Sequence, residues 1–273
     1  MSHASSQSAS VTTETIIQKK LAGERISMVT CYDSAFGRIV ESSPIDMVLV
    51  GDSLGNVLLG YDSTIPVTLA DMIHHSAAVS RVVKRPFVAA DMPFMTYKNN
   101  DDALENAAKL MQLGGVKGVK LEGGESVCSQ VEALTQAGIP VVGHLGLTPQ
   151  SVHTLGGYRV QAKAKEAQKK LLADAKALQD AGAFCLVLEM IPAQLAGQVS
   201  KALRIPTIGI GAGGACDGQV LVMHDLLGFD DSFKPKFLKK YANLHAEIGK
   251  ALATYDREVK AGKFPAAEHS FGS

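Results

Sequence analysis

Four acidic side chains each follow a short apolar run: Asp52 after 47–51, Asp91 after 87–90, Glu122 after 119–121 and Glu189 after 185–188. A carboxylate at the end of a buried strand is costly unless a cation, or a proton needed for chemistry, compensates it. Recurrence at one structural place points to one site. Hard oxygen donors without a nearby Cys or paired His favour Mg²⁺ over zinc, so Asp52, Asp91 and Glu122 form a candidate metal trio. Singly, each acid could instead cap a helix or stabilise a turn; three at successive strand ends fit a site better. Lys120 shares a strand face with Glu122 and could pair with the acids, meet an anionic substrate, or form a Schiff base. Ser53 offers a hydroxyl and a backbone N–H, although loop serines often only form turns. His144 would enter the same mouth as a substrate contact or orienter, against the plainer role of a satisfied hydrogen-bonding residue. Glu189 stands apart in the charge-poor run Leu-Val-Leu-Glu-Met-Ile, where desolvation would raise its proton affinity and suit it as a general base.

Positioning these groups requires a repeating scaffold. Strand-like runs cover 26–31, 47–50, 87–90, 116–120, 140–142, 184–188, 206–210 and 219–222. Helical patterns fall at 35–42, 69–83, 101–113, 126–137, 163–181 and 193–203, followed by a polar helical tail over 235–261. Short strands that are apolar on both faces, alternating with helices, predict a closed (β/α)₈ TIM barrel, with a doubly wound sheet as the competing fold. Barrel chemistry sits on the loops after the strands, where all four acids fall. The long loop over 143–163, rich in Gly, is expected to cover the site. Gly209, Gly211 and Gly214 satisfy G-x-G-x-x-G, but another strand follows them instead of a helix, so the dinucleotide fingerprint lacks its context.

The 273 residues are 46% hydrophobic and 20% charged, enough for a sizeable core in one domain over 14–273. With 27 basic and 27 acidic residues no net field draws in nucleic acid or an acidic membrane. Cys31, Cys128, Cys185 and Cys216 are widely spaced without a CxxC pair, which suggests reduced thiols in a cytoplasmic protein. No apolar run is long enough to span a bilayer, and residues 1–13 are expected to be a disordered Ser-rich tail.

The motifs V50-GDSLG, D62-STIPV, A90-DMPF, V119-KLEGG, G143-HLGLTPQS, G156-GY and G209-IGAG with D217-GQ, in this order, resemble the ketopantoate hydroxymethyltransferase family over about 15–271. The resemblance implies a barrel of the phosphoenolpyruvate mutase/isocitrate lyase type, assembled as a homodecamer of two pentameric rings. It also implies Mg²⁺ on Asp52, Asp91 and Glu122, substrate contacts from Asp52, Ser53, Asp91, Lys120 and His144, and Glu189 as the base. The implied reaction moves a one-carbon unit from 5,10-methylenetetrahydrofolate to 3-methyl-2-oxobutanoate, through an enolate stabilised by Mg²⁺, in pantothenate biosynthesis. A lyase or mutase acting on another 2-oxo acid, an imine aldolase using Lys120, and a non-catalytic binding barrel are the alternatives.

Overall fold

The computed structural model describes residues 9–272. Eight parallel strands follow sequence order around a closed barrel: β1 (Ile26–Thr30), β2 (Met47–Val50), β3 (Phe87–Asp91), β4 (Gly118–Glu122), β5 (Val141–Gly146), β6 (Cys185–Glu189), β7 (Thr207–Ile210) and β8 (Gly218–Leu221). β8 pairs back onto β1, which excludes the doubly wound alternative. Helices α1 (Thr13–Ala22), α2 (Ser34–Glu41), α3 (Leu54–Val57), α4 (Leu69–Ser80), α5 (Asn100–Gln112), α6 (Cys128–Gln136), α7 (Val152–Leu155), α8 (Lys165–Asp180) and α9 (Ala193–Ala202) precede, cover or link the strands. Their starts are written in the sequence. Thr68 and Asp71 form a reciprocal capping box on α4, and Asn99 caps α5 ahead of Asp101 and Asp102.

Strand alternation explains how one barrel holds both a core and a site. The interior cluster takes every second residue: Ile26 and Met28, Met47 and Leu49, Phe87 and Ala89, Cys185 and Val187, with Val142, Ile208 and Val220. Two residues further along the same faces, β3 reaches Asp91, β5 reaches His144 and β6 reaches Glu189. On β4, Lys120 and Glu122 share that parity, and the register sets Asp91 beside Lys120 and Glu122 beside His144. An apolar interior therefore gives way to a charged layer at the C-terminal mouth.

β4 and β5 extend past the runs expected at 116–120 and 140–142. Glycine and histidine disguise the end of β5, and pairing of His144 with Val187 and Gly146 with Glu189 overrides their weak local preference. α1 was not foreseen, and the disordered tail over 1–13 needs correction. Residues 1–8 lie outside the described part, but Val11 donates its N–H to Arg85 O at 2.8 Å and is buried with Ile16 against the barrel interior. Thr12 then caps α1, and Gly23, at φ +71°, ends it.

The single domain expected over 14–273 divides into two compact units at Val222/Met223. The second contains α10 (Met223–Leu227) and α11 (Leu244–Lys260). Its helical tail begins at 244 instead of 235, because Asn243 caps α11 and the preceding chain bonds to main-chain carbonyls, Tyr241 N–H to Leu226 O among them. No residue of α11 is buried, so this helix adds nothing to a core of its own.

In this second unit, burial and then the nearby Asp230 push the Asp225 carboxyl up to about 6, with Lys240 opposing. A carboxyl whose folded pKa exceeds its unfolded value costs stability as pH rises through that interval. Asp225→Asn should therefore equal wild type near pH 4 and exceed it by about 1 kcal/mol at pH 7, after discounting for partial exposure. Urea unfolding followed by circular dichroism from pH 4 to 8 checks this; a constant offset across that range would refute it.

Candidate active site

Three carboxylates and one lysine converge at the barrel mouth, all buried. Lys120 Nζ lies 3.0 Å from Asp91 Oδ1 and 3.6 Å from Glu122 Oε1. Asp52, just past β2, donates its N–H to Asp91 Oδ2 at 3.0 Å, which joins the two aspartates through the backbone. Burial alone would lower the lysine's pKa, but Asp91, Glu122 and Asp52 outweigh it and hold the ammonium charged. A permanently charged ammonium is a poor imine-forming nucleophile, so this environment disfavours the Schiff-base alternative. Burial also pushes Glu122 up, yet Lys120 and His144 prevail and its pKa falls below the usual range. For Asp52, burial and then repulsion from Asp91 and Glu122 win, raising its pKa well above normal. One ammonium does not neutralise three acids.

His144 links this cluster to the fourth acid. Its Nδ1 sits 3.2 Å from Glu122 Oε1 and 3.2 Å from Lys120 Nζ, while Nε2 lies 3.2 Å from Glu189 Oε2. Burial and Lys120 depress the imidazole's pKa, but contacts with Glu122 and Glu189 more than offset them and raise it. The setting expected for Glu189 therefore needs correction. Its side chain is 17% exposed and faces an imidazole, instead of lying in surroundings poor in compensating charge, because β5 brings His144 onto the same inner face. The Glu189 main chain is pinned by Leu147 N–H to its carbonyl at 2.8 Å. Gly146 permits this approach, since a Cβ there would come 2.1 Å from that carbonyl oxygen. Met190 follows at φ +48°, an unfavourable conformation for a side-chain-bearing residue, of the kind that gathers at functional sites.

The loop after β5 reaches into the cluster, as expected of a cover. Gln150 donates its backbone N–H to Glu122 Oε2 at 3.0 Å, and its side-chain amide to Asp52 Oδ2 at 2.8 Å and Met92 O at 2.9 Å. Tyr97 donates its hydroxyl to Gln150 Oε1 at 2.6 Å. Burial and then Glu122 raise the Tyr97 phenol, which keeps it a donor. Tyr158, further along the same loop, is raised by burial and then by Glu189, Asp52 and Glu122, which places its phenol within electrostatic reach of the site. Ser53 pairs with the Tyr32 hydroxyl at 2.8 Å, and Gly51 leaves the room this needs, since a Cβ there would meet Ser53 Oγ at 2.8 Å.

The donor set suits a hard cation in part. The crowding of Asp52 by Asp91 and Glu122, with one ammonium among the three acids, favours one. A protein-only cage is absent: among the described residues no three His, Cys, Asp or Glu side chains are disposed to hold a metal together. Lys120 and Gln150 contact several oxygens of the expected trio. Mg²⁺ tolerates this, since it is commonly held by one or two carboxylates and completed by water and substrate oxygens.

Asp52, Ser53, Asp91, Lys120, Glu122, His144 and Glu189 all lie in or just past the C-terminal halves of β2 to β6. Gln150, Tyr97 and Tyr32 were missed because neutral side chains leave no charge pattern, although Gln150 falls within the 143–151 motif. The glycine-rich segment after β7 is a tight connection to β8 with Gly211 and Gly213 at positive φ, and no helix follows it.

A family model described as ketopantoate hydroxymethyltransferase matches residues 10–267. The chain is 54% identical to a 3-methyl-2-oxobutanoate hydroxymethyltransferase of Thermoanaerobacter sp. (strain X514) over 262 residues, 96% of each chain. It is 52% identical to one of Leptospira interrogans over 255 residues, 93% of this chain and 96% of that one. Its barrel matches a 2,3-dimethylmalate lyase of the PEP mutase/isocitrate lyase superfamily at TM-score 0.60 and 17% identity, covering 94% and 91% of the two chains. A phosphonopyruvate hydrolase solved with oxalate and Mg²⁺ matches at TM-score 0.61 and 11% identity, covering 96% and 91%. These two likenesses establish the fold type.

Proposed function

This chain belongs to the ketopantoate hydroxymethyltransferase family and is a transferase, and from that premise we propose that it moves a one-carbon unit from 5,10-methylenetetrahydrofolate to 3-methyl-2-oxobutanoate, giving 2-dehydropantoate for pantothenate synthesis. The observation that carries this reading is the His144 bridge, 3.2 Å from Glu122 and 3.2 Å from Glu189, which sets a candidate base beside an anion-rich, cation-demanding cluster. Asp52, Asp91 and Glu122 would hold Mg²⁺, as the resemblance implies, and oxalate with Mg²⁺ on a barrel of the same fold supports such a pairing. Bound there, the ion would supply charge stabilisation to the 2-oxo acid's oxygens.

The chain's own groups do the rest. Glu189 accepts the proton from C3 of the 2-oxo acid, and His144 orients the accepting carboxylate. The methylene carbon of the donor gains a C–C bond from the electron pair left on C3 and a C–O bond from water as both of its C–N bonds to the folate break, and the two folate nitrogens take up the C3 proton and one proton of that water. Lys120 remains protonated and balances negative charge near the substrate oxygens, while Ser53, held by Tyr32, offers a hydrogen bond beside Asp52. Metal-stripped protein incubated with 3-methyl-2-oxobutanoate in D₂O tests the assignment: NMR should show C3 exchange only with Mg²⁺, then 2-dehydropantoate once the folate is added. Exchange without any divalent ion would remove the metal from the scheme, and no exchange under any condition would remove the substrate.

The proposed setting is the cytoplasm, with small molecules as partners and neither nucleic acid nor membrane. No helix among the described residues is long and apolar enough to cross a membrane. For the homodecamer, support comes from α11, where Ile248, Leu252, Tyr255 and Val259 recur at helical spacing and are all exposed. An apolar stripe of this kind favours burial against another chain. Leu252→Glu is expected to elute as a smaller species by light-scattering chromatography; a wild-type mass would take α11 out of the assembly.

A further inference from the structure

We propose that Gln150 is a positioning residue that clasps the loop after β5 onto the acid cluster, fixing the orientation of Asp52 and Glu122 without adding charge. The inference rests on the reading above for what the cluster binds, but the clasp itself is visible in the hydrogen bonds. Gln150 is buried, and each polar group of its side chain is used inside the site. Its backbone N–H holds Glu122, and its amide nitrogen holds Asp52 and the carbonyl of Met92, so one residue of the loop ties together the C-terminal ends of β2, β3 and β4.

The amide is itself aimed from behind. Tyr97 donates to its oxygen, which leaves the nitrogen facing Asp52, and Gln130 donates to the Tyr97 carbonyl at 3.2 Å. A glutamate at 150 would set a fourth negative charge against Asp52. A lysine would add a second ammonium and weaken the demand for a cation. The neutral amide avoids both, and by engaging Oδ2 it leaves Oδ1 as the Asp52 oxygen to meet a ligand. Because the donor is carried on a loop, opening that loop releases both acids together.

Gln150→Met retains length and packing while removing every side-chain hydrogen bond, so it separates the clasp from simple filling of space. Two measurements on the full chain are informative. Hydrogen exchange of metal-free protein should show residues 147–155 exchanging at least about 10-fold faster in the variant, with the barrel strands unchanged. Mn²⁺ binding, followed by electron paramagnetic resonance, should weaken about 10- to 100-fold, the usual result of losing a partner that orients a ligand. Tyr97→Phe should shift both readouts in the same direction by less, and it serves if the first variant does not fold. Wild-type exchange in a folded Gln150→Met protein would overturn the clasp. If wild type itself failed to bind Mn²⁺, the cation reading would fail and exchange alone would decide the clasp.

Discussion

Glu189→Gln is expected to slow solvent exchange of the C3 proton of 3-methyl-2-oxobutanoate by about 10²- to 10⁴-fold, the range for loss of a positioned general base. The argument is geometric. Glu189 ends β6 on the barrel's inner face, its main chain is fixed by Leu147, and its carboxylate faces His144. Glutamine preserves length and can still contact the imidazole, so the substitution should remove proton acceptance while leaving the metal-side cluster in place. Substrate binding, read by calorimetry, should change by less than about 1 kcal/mol, within the usual effect of a substitution that removes no buried partner. The rate loss should appear in exchange and overall transfer alike. If exchange kept its wild-type rate while transfer fell, Glu189 would act later, on the donor, and another group would be the base. His144→Gln tests the orienting role, with a smaller loss expected because the base remains.

The sequence disclosed this site to the extent that the site is charged. Acids after apolar runs mark strand ends, because burying a carboxylate requires a reason, and period-two alternation puts Lys120 and Glu122 on one face. All eight strands were legible as apolar runs bounded by Gly and Pro. Less legible were features created by tertiary contact. Glycine and histidine at the end of β5 have little strand preference, so its pairing with β6 extended the element beyond its local signal. α1 follows a Ser-rich stretch that reads as tail, and its order derives from Val11 and Ile16 docking under the barrel. Gln150 and Tyr97 escaped notice for a chemical reason: an amide and a phenol acquire meaning only through the atoms they meet. The surroundings of Glu189 were misjudged because a linear reading could not place His144, 45 positions away, within 3.2 Å of it.

Lys120→Met should produce the largest change in stability. The ammonium is the only lysine or arginine group the described ion pairs place against Asp91 and Glu122, and it is buried with them. Methionine matches its unbranched shape and leaves the apolar stem packed, so the loss is one of charge. Removing one partner from a buried ionic cluster typically costs about 3–5 kcal/mol, since the remaining charges stay desolvated and uncompensated. For a chain of this size that lowers the melting temperature by about 6–20 °C at neutral pH. The sign of its pH dependence follows. Carboxylates stranded without the lysine have folded pKa values raised above their unfolded ones, so the penalty is present at neutral pH and fades as pH falls and they protonate. A divalent cation supplies the missing charge by another route. Added Mg²⁺ should therefore raise the melting temperature of Lys120→Met more than that of wild type, narrowing the gap between them. Equal melting temperatures without metal would mean that the ammonium offsets no buried charge in the folded protein. A gap that Mg²⁺ leaves unchanged would separate the lysine's cluster from the cation site, and would require the ion, if bound at all, to be held elsewhere.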